Sequence, residues 1–146
     1  MNYSKIALGG LVAGVICFVG DGVVHGVLLK SGWEAIAATL HLPPGDSGFG
    51  YFGLYDIAKG VGSVLLYALI RPRLGKGPRT AFIAGVLTWA LVLPIPLCGL
   101  IPIHFFGRKF ALLWSIYGFF PIVIGAVVGS WLYREEPAGQ QAAIAT

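Results

Sequence analysis

Apolar residues run along this chain in four long blocks, at about 6–29, 50–70, 80–103 and 111–133, each long enough for a helix of about 20 residues to cross a bilayer. Within the blocks, small and polar residues recur at steps of three or four. Gly10, Gly14, Cys17, Asp21 and His25 form one stripe in the first block, and Gly118, Pro121, Gly125 and Gly129 form one in the fourth. Lipid supplies no hydrophobic drive between helices, so close packing depends on small residues, and these stripes predict the bundle interior. The stretch between the first two blocks has a different pattern. Trp33, Ile36, Ala37 and Leu40 share one helical face while Glu34, Thr39 and His41 fall elsewhere. That predicts a short amphipathic helix at about 32–42 lying in the membrane interface, stopped by Pro43, Pro44 and Gly45. The predicted fold is all-α and single-domain over 1–146: a four-helix transmembrane bundle with an interfacial helix between spans one and two and a frayed tail at 137–146. In the third block, Pro94, Pro96 and Pro102 each remove a backbone donor, so the span is kinked or broken in its outer half. The freed carbonyls then face either an outward-opening vestibule or neighbouring helices that repack around the bend.

Composition fixes the solvent. Hydrophobic residues make up 57% of the 146 positions and charged residues 11%, against roughly a quarter charged in soluble domains. The net charge of +4 does not indicate nucleic acid, because the basic residues sit between apolar blocks rather than along one polar face. They set orientation instead. With four spans, Lys5, Arg71, Arg73, Lys76, Arg79 and Arg134 share one side, against Lys30, Arg108 and Lys109 on the other, which predicts cytoplasmic N- and C-termini. Arg71, Arg73, Lys76 and Arg79 are also a candidate contact for anionic lipid headgroups. Trp33, Phe105, Phe106 and Trp114 mark the outer interface, and Tyr67, Trp131 and Tyr133 the inner one. No small-x-small cleavage site closes the first block, and Cys17 follows the bulky Val15 and Ile16, so it reads as a retained helix. Cys17 and Cys98 lie in apolar runs without CxxC spacing and read as buried small hydrophobes.

The chemistry, if any, lies in the few ionisable residues within the spans. Counting about 1.5 Å of rise per residue from each span's midpoint puts Asp21, Asp56 and Tyr117 at one level in the outer half. Lys59 lies near the midplane, with His25 and His104 further out. Asp56 and Lys59 are i and i+3, and Asp21 and His25 are i and i+4, so each pair is within reach. These six residues, Asp21, His25, Asp56, Lys59, Tyr117 and His104, form the candidate ligand- or proton-binding layer. Two carboxylates against one ammonium leave one negative charge in excess, where a proton or cation could be held. In a purely structural network, Lys59 would neutralise one aspartate and His25 would share a proton with the other. No two histidines among His25, His41 and His104 share a face within one span, so no metal site is assigned and no cofactor is identified. Gly48, Gly50 and Gly53 match GxGxxG but follow a proline turn rather than a strand, and read as the entry to the second span. No catalytic residue is assigned, since no GxSxG, HExxH or Walker motif occurs.

LLYALIRPRLGKGPRTAFIAGVLTWA, GSWLYREE and HGVLLKSGWEAIAATL resemble segments of a group of small four-span bacterial inner-membrane proteins described mostly as hypothetical. The resemblance implies the fold and a bacterial inner-membrane location, and it carries no functional residue. Three functions remain open at this point. One is binding or transport of a small ligand or ion, with or without linkage to protons. Another is a non-catalytic accessory subunit packed against a larger membrane complex or a second copy of the chain. The third is an intramembrane enzyme or haem carrier.

Overall fold

The structure, a computed structural model, describes residues 1–41 and 48–134, so the Pro43–Pro44–Gly45 turn and the tail at 137–146 lie outside the described residues. The chain forms an all-helical bundle of α1 (Tyr3–Val23), α2 (Lys30–Thr39), α3 (Phe49–Leu74), α4 (Pro78–Val92), α5 (Pro94–Leu100) and α6 (Arg108–Trp131). A π-helical turn, Val24–Leu28, prolongs α1, and a 3₁₀ turn, Ile101–Ile103, follows α5. Among the described residues, four helical segments are long and apolar enough to cross a membrane: Tyr3–Leu28, Phe49–Leu74, Pro78–Ile103 and Arg108–Trp131.

Local chemistry sets the ends. The Asn2 side chain accepts the Lys5 N–H at 3.1 Å and caps α1. The α3–α4 connection needs backbone that only glycine adopts without strain, with Gly75 at φ 85° and Gly77 at φ 138°, and Pro78 then starts α4. Thr80 Oγ1 donates to the Gly75 carbonyl at 2.8 Å and closes the turn.

α1 is the central helix, packed between α3 and α6. A Cβ on Gly10 would lie 2.6 Å from Val61 Cα, and one on Gly14 would lie 2.6 Å from Ile57 Cα. From the other side, a Cβ on Gly60 would run into the Gly14 nitrogen and the Gly10 carbonyl. Gly10 with Val61 and Gly14 with Ile57 pair in descending order, so α1 and α3 are antiparallel with their backbones in near contact. A second seam joins α1 to α6 through Gly9 with Gly129, Ala13 with Gly125, and Gly20 with Pro121. The glycine stripes thus lie where the sequence placed them, but divided between two neighbours. Val15, Val19, Val23 and Val27, on the opposite face of the first span, are exposed.

The third span breaks as expected. α4 ends at Val92, Leu93 turns with φ −122° and ψ −80°, and α5 restarts at Pro94. Pro96 has no N–H to offer the Val92 carbonyl four residues earlier, and the Tyr55 hydroxyl donates to that oxygen instead, at 3.4 Å. The bend is therefore repaired by a neighbouring helix. The interfacial helix starts two residues before its predicted position. Gly32, Trp33, Ile36 and Ala37 are its half-buried face, while Leu40 is exposed. Three interface aromatics need correction: Tyr67 and Tyr133 are core residues packed edge-on at 6.0 Å, leaving Trp131 as the exposed one of its group, and Phe106 is buried in a second core cluster with Leu97 and Ala111. Cys98 also differs from expectation, being exposed on α5, whereas Cys17 is buried with its thiol directed at the Pro121 carbonyl.

Gly60→Ala should destabilise the detergent-solubilised protein by about 1–3 kcal/mol, because backbone rather than a flexible side chain opposes the added methyl. Gly62→Ala, two residues away with nothing within 4 Å, should be neutral or stabilising by about 0.5–1 kcal/mol. Thermal unfolding of both variants checks this pair, and equal effects would show that α1 and α3 do not meet at Gly60.

Candidate functional site

The close α1–α3 approach brings three charged side chains together. In a helix each Cα–Cβ bond tilts toward the N-terminus, so in an antiparallel pair Lys59 leans toward the start of α3 while Asp21 leans back along α1. The Lys59 ammonium lies 2.5 Å from Asp21 Oδ2 and 2.6 Å from Asp56 Oδ1, bridging both carboxylates. The Asp21 contact is a directed hydrogen bond. The contact within α3 is an ion pair whose angles are too poor for one, as expected for side chains three residues apart on one helix. The side chains of Lys59 and Asp56 are each 3% exposed and that of Asp21 is 17% exposed, so Asp21 is the member of the triad that solvent or a ligand can reach.

Tyr55 completes the site and was not recognised from the sequence. Its ring lies beneath the Lys59 ammonium, 4.8 Å from nitrogen to centroid, and its hydroxyl meets the Val92 carbonyl at the proline break. One residue therefore joins the charged triad to the bend in the third span. The signal was available: Tyr55 precedes Lys59 by four residues on α3, and Pro96 predicts one carbonyl in need of a donor.

His25 does not pair with Asp21. The π-helical turn beginning at Val24 inserts extra backbone between them and swings the imidazole toward α2 and α6. There Nδ1 accepts the Trp33 indole N–H at 2.9 Å, and the ring stands edge-on to Trp114 at 5.2 Å. Trp33 packs edge-on against Phe110 at 5.0 Å and Trp114 at 5.2 Å, tying α2 to the start of α6. No known protein family, curated protein or solved structure matches the chain. The site is therefore read from its own geometry.

The remaining expected members lie apart from the triad. His104 is exposed at the end of the 3₁₀ turn, in left-handed backbone with φ 54°. Tyr117 lines an apolar groove of about 540 Å³ between α1 and α6, together with Ile16, Gly20, Phe120, Pro121 and Ile124. Gly20 directs its face to α6 while the next residue, Asp21, reaches α3, so the groove and the triad open on different sides of α1. Among the described residues, no three His, Cys, Asp or Glu side chains gather as metal ligands.

Lys59→Met leaves two buried carboxylates facing one another and should cost about 3–5 kcal/mol of stability. Asp21→Asn leaves one ammonium against one carboxylate and should stay within about 1 kcal/mol of wild type. Denaturation in mixed micelles separates the two variants, and a larger loss for Asp21→Asn would mean that the triad is not organised around Lys59.

Proposed function

We propose that this chain is a multi-pass protein of a bacterial inner membrane that binds a proton or small cation at Asp21, Lys59 and Asp56, as a binding or transport component rather than an enzyme. The observation that carries this reading is the charge count inside the bundle. Burying ions in a lipid-embedded helix pair is costly, and fixing helix register needs only one carboxylate for one ammonium. The second carboxylate leaves one negative charge in excess at low dielectric. A proton or cation relieves it, and the partly exposed Asp21 is where exchange takes place. The basic end of the bundle fits the cytoplasmic side, with Lys5, Arg73, Lys76, Arg79 and Arg134 all exposed there and available to anionic headgroups. Arg71 is engaged over the Tyr133 ring, 5.4 Å from its centroid.

A second reading, a non-catalytic subunit packed on a larger membrane complex or on another copy of the chain, draws on the Lys59 clamp between α1 and α3 and on the apolar groove beside α6. The two readings separate in proteoliposomes carrying a trapped pH indicator and given an external acid pulse. In the first, wild type should acidify the lumen faster than empty vesicles, and Asp21→Asn should abolish the difference at unchanged thermal stability. Equal acidification by wild type, Asp21→Asn and empty vesicles would sink the proton-transport reading and favour the structural one.

A further inference from the structure

The hydrogen bond between Trp33 and His25 has a polarity on which the seating of α2 depends. An indole N–H can only donate, so His25 Nδ1 must carry a lone pair, and the imidazole is neutral with its proton on Nε2. A proton added to Nδ1 forms an N–H bond there and turns the acceptor into a second donor facing the indole N–H. The Trp33 bond then has no acceptor and must break. Among the described residues, this bond is the direct polar contact between the α2 side chains and the first span. The other side-chain bond made by α2 is internal, from Thr39 to the Ala35 carbonyl, and its Lys30–Glu34 pair at 3.9 Å is internal and exposed. α2 has no fully buried residue and is held otherwise by ring packing of Trp33, by Gly32 against Phe110 and by Ile36 against the core cluster that includes Leu97 and Phe106. It is the element of the bundle that a single lost hydrogen bond would release most easily.

We infer that the His25–Trp33 bond is a proton-operated latch. At neutral pH it holds α2 against the aromatic group at the start of α6, and protonation of His25 frees α2 from the end of the bundle. The π-helical turn at Val24–Leu28 has a role in it, since this distortion aims His25 at Trp33. The charged groups on the elements around His25 are few. Asp21 lies on the same helix, one turn before, and is paired with Lys59 from α3. Asp56 is engaged with Lys59, Lys30 and Glu34 on α2 face solvent, and Arg108 and Lys109 at the start of α6 are exposed. Trp114, which packs on His25 from α6, carries no charge.

Hydrogen exchange of full-length protein in proteoliposomes, corrected for the intrinsic pH dependence of exchange, tests the latch. Between about pH 8 and about pH 5, the range an imidazole titrates through, α2 amides should lose about tenfold in protection while α4 amides stay unchanged. His25→Gln keeps an acceptor oxygen but does not titrate, so its α2 should remain protected at both pH values. Trp33→Phe should leave α2 poorly protected at both. Wild-type α2 protection that does not change with pH, or the same change in His25→Gln, would overturn the latch. The acid-pulse assay on the same variants keeps the two ideas apart. Asp21-dependent uptake with pH-independent α2 protection refutes the latch alone, and pH-dependent release of α2 without uptake refutes transport alone.

Discussion

An ammonium group buried in a lipid-embedded helix bundle must be met by carboxylate oxygens, because neither lipid nor apolar side chains can replace its water. Lys59 meets that requirement twice, with Asp21 on α1 and Asp56 on its own helix. Much of the remaining architecture follows. For Asp21 to reach Lys59, α1 and α3 must approach until their backbones touch, and Gly10, Gly14 and Gly60 allow it. The interaction ties the first and second spans together and leaves a negative charge in excess at the join. The same three residues therefore account for the packing of one half of the bundle and for its only chemically unusual point among the described residues.

With lipid as solvent, carbonyls freed by proline need partners from within the protein. The Val92 carbonyl, which Pro96 deprives of its helical donor, takes the Tyr55 hydroxyl, and the Tyr55 ring lies against the Lys59 ammonium. The bend in the third span and the triad are thus two contacts of one side chain. At the same end of the bundle, the π-helical turn turns His25 away from Asp21 and into an aromatic group with Trp33, Trp114 and Phe110. Small side chains make the helix seams and aromatic ones close the end.

The spans, the proline break, the glycine seams and the amphipathic α2 were legible because each has a periodic or steric signature in one stretch of chain. The pairing of Asp56 with Lys59 followed from i, i+3 spacing, and the excess carboxylate followed from counting. What could not be read depended on local distortion or on which neighbour a side chain chose. His25 was placed over Asp21 by assuming a regular α-helix, and one π-helical turn was enough to move it. Tyr67 looked like an interface anchor because aromatic residues at span ends usually are, yet it is core. Tyr117 shared a depth with the two aspartates, but depth does not fix azimuth around the bundle, and Tyr117 faces the α1–α6 groove.

The central claim is that one ammonium organises two carboxylates across the α1–α3 contact. A double-mutant cycle in the folded, detergent-solubilised protein tests it most directly, comparing unfolding free energies of wild type, Asp21→Asn, Lys59→Met and the combination. The geometry predicts strong coupling, with the double variant more stable than Lys59→Met alone, since removing Asp21 also removes an uncompensated buried charge. Additive losses, with a coupling energy within about 0.3–0.5 kcal/mol of zero, would contradict it.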